Sequence, residues 1–427
     1  MNTRDFIRQV PILAWLIMFS ILCAGIFGNL LGSLTTEISA DLTLTPKHIG
    51  WLVFWGNVGS AIGAFLGGDL VHRVPARHLL MGYLIGMLVA IGIMVASTGF
   101  VMLISGFILY EIMVIAMATL GHTLIGKMQL VSSIRARVLA LLDVGWSIGA
   151  SIAPIWVIVL LRAYPNWRVP YAVFTVLVLV LLFAYSRTQI RQAIAQLSLI
   201  PPAKDTSHEV SHKMSHDASV PSAPAQHAHT YLQLMFAPWA IWAWIAAILI
   251  GYVEWGHSFW FVNYAHSGRE IALDQARVGL VGFTLGMVLV RSWQAFIHSE
   301  LTIEQRLIRL SLVGCAAFVL IAFFPNATTL PYMFVTNFFA GVGIGVVFPI
   351  LLNHLIDFAP HDTAKFSALL MFCIIIGAQS AGLVVGYVSE VLGVGIGYMT
   401  IAFAMVGFYI SIMQLFRIHK KMHHAPD

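Results

Sequence analysis

The stretch ARVLALLDVGWSIGASIA at residues 136–153 aligns without a gap with AKFSALLMFCIIIGAQSA at residues 364–381. The two share a leading Ala, an Ala-Leu-Leu triplet, a Gly-Ala pair and a final Ala. A second pair, TLTPKHIG at 43–50 and ALDQARVG at 272–279, aligns in almost the same register. Self-similarity at one long, fixed spacing indicates that a single structural unit is present twice in the chain.

The composition is that of a membrane protein. Of the 427 residues, 59% are hydrophobic and 10% are charged, and the mean hydropathy is +0.87, whereas soluble proteins carry about 25% charged residues. Runs of about 20 apolar residues, the length that crosses a hydrocarbon core of about 30 Å, recur along the chain. Because every backbone amide in lipid needs a partner, and because the runs lack the alternation of barrel strands, we expect an all-α fold.

We predict twelve membrane-spanning helices arranged as two pseudo-symmetric bundles of six. An even number of predicted spans separates the two copies of the repeat, so both copies have the same orientation in the membrane. Parallel six-helix repeats with a binding site between them are a known transporter architecture. The predicted spans, numbered in chain order, are 11–34, 48–71, 78–97, 100–126, 137–161, 169–187, 237–262, 277–297, 306–325, 329–356, 363–388 and 393–416.

The loops predict the orientation. Seventeen Lys and Arg residues lie in the loops or at the span ends on the side that holds both chain ends, against five on the other side. The positive-inside rule therefore places both termini in the cytoplasm of a multi-pass protein of the inner (plasma) membrane. These loops also account for the net charge of +5, so we expect no nucleic-acid partner.

A polar segment divides the two bundles. We predict an N-terminal bundle at 1–190, a flexible His-rich linker at 191–235 and a C-terminal bundle at 236–427, because the linker sequence is rich in Pro, Ser and Ala and cannot bury a core. A helix through it would align three imidazoles that could hold a divalent metal, but its serines and prolines favour a solvated tether. We expect no metal site and no cofactor. The aligned imidazoles belong to His208, His212 and His216.

Several motifs resemble those of the major facilitator superfamily, over nearly the full length of the chain. ISADLTLTPKHIGWL at 38–52 resembles the family's first outer loop and its entry into helix two, PNWRVPYAVF at 165–174 its entry into helix six, and FAGVGIGVVFP at 339–349 its helix ten. The resemblance implies alternating access between two six-helix bundles, with the solute between them.

The loop after span 2 is similar to the family's signature and departs from it. In GGDLVHRVPARHLL, His72 stands where the family has an acid and Pro75 where it has its second glycine, while Asp69 lies a turn earlier. The usual charge relay of this loop is therefore in doubt, although the fold is not. The first two spans and the carboxylate in span 4 resemble those of the fucose-permease group of sugar and proton symporters.

Charges inside spans are the strongest functional candidates, because each costs roughly 2.5–3.5 kcal/mol at a helix centre. Glu111 lies about 16 Å from the outer end of span 4, at the midplane. A carboxyl group that a cavity alternately wets and closes can take up and release a proton, so we predict that Glu111 couples transport to protons. The alternative is a carboxyl group held permanently within the bundle.

A second cluster predicts the solute site. Glu254 lies about 12 Å below the outer end of span 7, with His257 one turn above it on the same face, so we expect the two to share a wall. Tyr252 and Trp255 offer flat apolar faces to a ring or a cation. The alternative is an aromatic belt at the membrane interface. Two mid-span amides, Asn29 and Gln379, complete the predicted solute-binding set.

Two further charges predict a gate. Asp143 in span 5 and Arg291 in span 8 both lie roughly 8–9 Å above the cytoplasmic boundary. The family resemblance implies that spans 5 and 8 face each other across the two halves. We therefore predict an ion pair that closes the inner gate when the site faces outward; the alternative is that each side chain extends separately to cytoplasmic water.

These observations predict a secondary active transporter for a small organic solute, most simply a proton symporter, acting as a monomer in the lipid bilayer. Proton-driven efflux is the alternative. A GxxxxGK[ST] nucleotide-binding loop is missing from the sequence, which disfavours direct use of ATP. The sequence shows no catalytic constellation, so we do not expect an enzyme.

Overall fold

The protein is described by a computed structural model. The structure describes residues 9–128, 130–187, 190, 192–194, 230–296, 301–324, 329–358 and 363–423. Within these ranges the chain is helical and contains no strand, and twelve helices are long and apolar enough to cross a membrane. The predicted all-α fold with twelve spans is therefore confirmed.

Apart from the long segment between Ser186 and Ile241, the helices follow one another with short connections. We number them α1 to α12, with α10 in two pieces. They are α1 (Ile12–Leu42), α2 (Pro46–Asp69), α3 (Ala76–Val95), α4 (Phe100–Lys127), α5 (Ser132–Ala163), α6 (Arg168–Ser186), α7 (Ile241–Asn263), α8 (Leu273–Phe296), α9 (Ile303–Phe323), α10a (Leu330–Ile344), α10b (Val347–Phe358), α11 (Thr363–Leu392) and α12 (Val394–His423).

Several helices extend beyond their predicted spans. α1 continues through a polar segment to Leu42, where Thr43 adopts a left-handed conformation and donates its N–H to the Ser39 carbonyl. α11 and α12 are separated by one residue, Gly393, whose φ of +89° suits glycine. Hydropathy locates the apolar part of a helix, whereas backbone caps decide where the helix ends.

The repeated Gly-Ala pair has the same packing role in both halves. A side chain on Gly149 of α5 would collide with the Leu22 carbonyl of α1, and one on Gly377 of α11 would collide with the Ile248 carbonyl of α7. Both glycines thus allow two backbones to touch. The sequence match is therefore explained by equivalent contacts, α1 with α5 and α7 with α11.

The two six-helix bundles meet along three helix pairs: α2 packs on α11, α5 on α8 and α1 on α7. The two copies of each repeat lie in α5 and α11 and at the start of α2 and α8, so the repeated segments build two of these three interfaces. We call the side of the molecule where α1 begins and α12 ends the terminal side, and the opposite side the far side.

Most of the predicted linker, including His208, His212 and His216, lies outside the described residues. Its described end forms a short helix, Tyr231–Met235, which the Thr230 side chain caps. The Leu234 carbonyl accepts a hydrogen bond of 3.1 Å from Trp244 Nε1 of α7. These last residues therefore pack on the C-terminal bundle, while the division of the chain at 190 and 236 stays a prediction.

Candidate solute-binding cavity

A cavity lies between the two bundles, near the middle of α1, α5, α7 and α8. Four helices contribute to it because glycines bring their backbones together: a side chain on Gly32 of α1, for example, would collide with the Ser258 carbonyl of α7. The lining residues are Asn29, Trp146, Ser147, Ala150, Glu254, Trp255, Ser258, Thr284, Met287 and Arg291.

Arg291 connects three elements at this cavity. Its Nη2 lies 3.3 Å from Glu254 Oε1 of α7, and its Nη1 donates to Ser147 Oγ of α5 at 2.6 Å. Its Nε donates at 2.9 Å to the carbonyl of Gly345, in the break between α10a and α10b. One guanidinium thus bridges the halves, since α5 belongs to the N-terminal bundle and the other partners to the C-terminal bundle.

In this conformation the acid that pairs with Arg291 is Glu254, whereas Asp143 was predicted as its partner when the site faces outward. Among the described residues, the Arg291 ion pair is the one with Glu254. Asp143 lies one turn from Ser147 toward the terminal side, and its side chain is exposed. Ser147 faces the guanidinium, and its hydroxyl donates a hydrogen bond of 2.9 Å to the Asp143 carbonyl. The predicted Asp143–Arg291 pair is therefore not formed in this conformation.

His257 lies away from the cavity. It is fully buried in the C-terminal bundle, where its Nδ1 lies 2.6 Å from the Tyr398 hydroxyl. Its ring contacts Phe261, Phe283 and Phe318. The prediction that it shares a wall with Glu254 is wrong: a spacing of three residues leaves about 60° between two side chains on a helix, enough to separate the cavity face of α7 from its core face.

Tyr252 also faces the bundle. Its hydroxyl lies 2.7 Å from Thr400 Oγ1 of α12, and it is not among the residues that line the cavity. A spacing of two residues from Glu254 rotates a side chain by about 200°, to the opposite side of α7. Tyr252 therefore does not line this cavity, and its predicted solute contact stays a prediction.

Of the remaining predicted solute contacts, two line the cavity. Trp255 does so while stacking on Phe259 at 5.8 Å between ring centroids, and Asn29 does so while its Nδ2 donates to the Gly25 carbonyl at 2.9 Å. Gln379 lies half-buried on α11, outside the lining of this cavity. The sequence could not show which of these two amides lines the cavity, because both lie at mid-span positions.

Glu111 lies between α4 and α2 and does not line the cavity. Its Oε2 accepts a hydrogen bond of 2.7 Å from Ser60 Oγ of α2. The close approach of Gly59 to the Ile108 carbonyl brings the two helices together at this level. The carboxyl group thus has a neutral hydroxyl as its hydrogen-bond partner within the N-terminal bundle.

The far side is closed by a charged network that sequence reasoning missed. Arg277 of α8, with a side chain only 2% exposed, pairs with Glu37 of α1 and donates to the Ser33 carbonyl at 3.0 Å. Asp274 lies 3.4 Å from Arg277 and accepts two hydrogen bonds, at 3.1 and 3.0 Å, from Arg162 of α5. The network therefore links α1 and α5 to α8 across the two halves.

The α2–α11 pair closes the same side. A side chain added at Gly50 of α2 would collide with the Gly382 carbonyl and approach Gly386 of α11, so the two helices are in close contact there. The Lys47 N–H donates to Glu390 Oε2 at 3.3 Å. Both the network and this contact lie at helix ends, so in the sequence Arg162 and Arg277 resemble ordinary loop charges. The acids Glu37 and Asp274, which lie at the same membrane level, could have indicated ion pairs there.

Comparisons with known proteins agree with this architecture. The family model described as Major Facilitator Superfamily matches residues 17–378. The crystal structure of a point mutant of the nucleoside transporter NupG is similar in fold, with a TM-score of 0.71 at 13% identity, covering 95% of this chain and 100% of that chain. No curated protein sequence matches the chain significantly. The chain therefore belongs to the major facilitator superfamily, and it is a multi-pass membrane transporter rather than an enzyme.

Proposed function

We propose that this transporter moves a small organic solute through the cavity between its bundles by alternating access. The observation that carries the proposal is the Arg291–Glu254 pair, a charged contact inside the membrane at the surface where the halves meet. A charge at that depth is retained where it has a partner, a cavity or a functional role. Arg291 has a partner and lines a cavity, and these two observations support a functional role.

In the proposed cycle, the conformation described above is the one closed on the far side. Arg277 and Gly50 hold the far-side helix ends together, and the exposed Asp143 lies on the terminal side of the cavity. When the far side opens, we propose that Arg291 exchanges Glu254 for Asp143, the gating pair inferred from sequence. Asn29 and Trp255 contact the solute with Glu254.

Proton coupling by symport is the proposed energy source, with Glu111 as its proton carrier. Two features support this role: Glu111 is a carboxyl group in the middle of a span, and its hydrogen-bond partner Ser60 is uncharged. A carboxyl group without a cation beside it is free to bind a proton, and in the low dielectric of a bundle the neutral form is favoured.

A second candidate, proton-driven export, is favoured by the position of Glu254. This carboxylate lines the cavity, whereas Glu111 does not. A proton and a solute that compete for one carboxylate exchange for each other, which is antiport. The direction of solute movement under a pH gradient separates the two candidates. In symport the solute moves in the same direction as the proton, and in antiport it moves in the opposite direction.

The membrane and the orientation are also proposals. The excess of Lys and Arg on the terminal side supports an inner (plasma) membrane location with both termini cytoplasmic, and we propose that a monomer carries out the cycle. NupG is a nucleoside transporter, so nucleosides belong in any solute panel.

The deciding experiment is uptake of labelled solutes into proteoliposomes that contain the purified protein, with and without a pH gradient. The panel contains nucleosides, sugars, amino acids and amines, and the comparison variant is Arg291→Gln. We expect gradient-dependent accumulation of at least one solute class, lost in the variant. Identical uptake by empty liposomes for every class would contradict the proposal.

A further inference from the structure

We propose that the cavity takes solutes that carry a protonated nitrogen, an inference that rests on the proposed transport function and names the solute class. It follows from three independent properties of the lining: which hydrogen-bonding groups are unused, how the charges balance, and which aromatic faces lie open.

The hydroxyl groups of the cavity have already used their donors. Ser147 Oγ donates to the Asp143 carbonyl and Ser258 Oγ to the Glu254 carbonyl, each at 2.9 Å, and Thr284 Oγ1 donates to the Val281 carbonyl at 3.1 Å. A serine or threonine hydroxyl has one donor and two lone pairs. Because the donors bond to the helix backbone, these oxygens of Ser258 and Thr284 can only accept from a solute.

The amide and the carboxylate add two further acceptors. Asn29 Nδ2 donates to the Gly25 carbonyl at 2.9 Å, which leaves its Oδ1 as the amide's free oxygen. Glu254 uses Oε1 for Arg291, which leaves Oε2 for a solute. Four acceptors from three helices, α1, α7 and α8, thus converge on one space, which suits a group with several N–H donors.

The charges favour a cation. Asp143 and Glu254 provide two carboxylates near the one guanidinium of Arg291, so acidic groups outnumber basic ones among these three side chains. All three guanidinium nitrogens of Arg291 already donate, to Gly345, Ser147 and Glu254. An anion could reach only the N–H bonds that these three contacts leave unused, whereas a cation would meet the Glu254 oxygen that Arg291 leaves free.

Two tryptophans give the cation a second kind of partner. Trp146 and Trp255 both line the cavity, one from each half, and indole faces attract ammonium groups by roughly 0.5–2 kcal/mol. The donors that remain are the indole N–H groups, the second N–H of the Asn29 amide and the unused N–H bonds of Arg291, and they can serve a second polar group of the same solute. The site therefore suits an amine on a compact, partly apolar skeleton.

The experiment measures binding by the purified full-length protein to matched probe sets, through thermal stabilisation and tryptophan fluorescence. Each set contains an amine, an alcohol and a carboxylate on one skeleton, such as 2-phenylethylamine, 2-phenylethanol and phenylacetate; indolylethyl and cyclohexylmethyl skeletons provide two more sets. We expect the amine to bind at least about tenfold more tightly than the other members of at least one set.

Variants connect this preference to the cavity. Glu254→Gln should weaken amine binding about tenfold, and Ser258→Ala and Asp143→Asn should weaken it several-fold, while Glu270→Gln, an exposed glutamate between α7 and α8, should not. If Glu254→Gln does not fold, the other two variants decide.

Two outcomes would overturn the inference: an alcohol or a carboxylate that binds as tightly as its amine in every set, or the absence of amine binding from all three. Transport is scored separately in proteoliposomes. Amine binding without transport of any solute would contradict the proposed function and leave the inference standing. Transport of neutral or anionic solutes alone would support the proposed function and contradict the inference.

Discussion

At the scale of single residues, the account depends on Arg291, because this side chain alone spans α5, α7 and the break in α10. We predict that Arg291→Lys lowers the transport rate about thirtyfold. A lysine retains the charge but cannot direct donors at Ser147, Glu254 and Gly345 together, and losing two hydrogen bonds at roughly 1 kcal/mol each gives that factor.

The measurement is initial uptake by proteoliposomes, with Arg187→Lys as the matched control. Arg187 is exposed at the terminal-side end of α6, so this control should transport normally. Normal uptake by Arg291→Lys would show that charge alone suffices and that the three-way contact has no function.

A second prediction at this scale concerns proton coupling. Glu111→Gln should abolish uphill accumulation and leave solute exchange measurable, because a glutamine oxygen can still accept from Ser60 Oγ but cannot bind and release a proton. Glu270→Gln is the control for the loss of a carboxylate. Accumulation that continues in Glu111→Gln proteoliposomes under a pH gradient would refute the role of Glu111.

The sequence identified cavity residues through the free-energy cost of burying a charge in a span, but it did not identify the direction in which a side chain points around its helix. Glu254 and Arg291 were identified because a charge inside a span is expensive, and both line the cavity. His257 was assigned to the same wall as Glu254 and Tyr252 to the solute contacts, but helix rotation places both in the bundle core. The partner of Arg291 depends on which of Glu254 and Asp143 faces it, and this is a matter of helix packing that spacing cannot supply.

At the scale of helices, the contact of α2 with α11 on the far side should control how easily that side opens. Gly50→Val would place two methyl groups against the Gly382 carbonyl and Gly386. We predict that it separates the far-side ends of these helices. Pulsed electron–electron resonance between spin labels at Thr43 and Val391, two exposed positions beside this contact, measures the separation.

The matched control is Gly92→Val on α3, where an added side chain meets open space. We expect a longer distance population for Gly50→Val and an unchanged distribution for Gly92→Val. A distribution that Gly50→Val leaves unchanged would mean that α2 and α11 do not close the far side.

The helices themselves were predictable, because long apolar runs and the requirement for internal hydrogen bonds leave no other structure in lipid. The repeat between 136–153 and 364–381 predicted the bundle symmetry, and the structure gives its cause in the contacts of Gly149 and Gly377. The break that divides α10 was not predicted. It follows a run of glycines, and the Gly345 carbonyl at the break accepts a hydrogen bond from Arg291, a residue distant in sequence.

At the scale of the whole molecule, the stability of the closed far side depends more on how deeply its charged side chains are buried than on how many ion pairs they form. Arg277 is 2% exposed, whereas the side chains of Arg162 and Asp274 are 72% and 39% exposed. Removing one partner of a buried charge costs roughly 3–5 kcal/mol, while an exposed pair contributes about 0–1 kcal/mol.

We therefore predict that Glu37→Gln opens the far side more than tenfold more often, and that Arg162→Gln changes the opening less than about fivefold. The readout is the rate at which a membrane-impermeant maleimide, applied on the far side, modifies Ser258→Cys in a background without Cys23, Cys315 and Cys373. Equal rates in the two variants would contradict this ranking.

The central claim is that one cavity is reached alternately from the two sides of the membrane. The most direct test is the modification of Ser258→Cys by that maleimide in right-side-out and in inside-out vesicles. The account predicts reaction from both sides, faster from the terminal side, with Glu37→Gln shifting the balance toward the far side. Reaction from one side only, unchanged by Glu37→Gln, would contradict it.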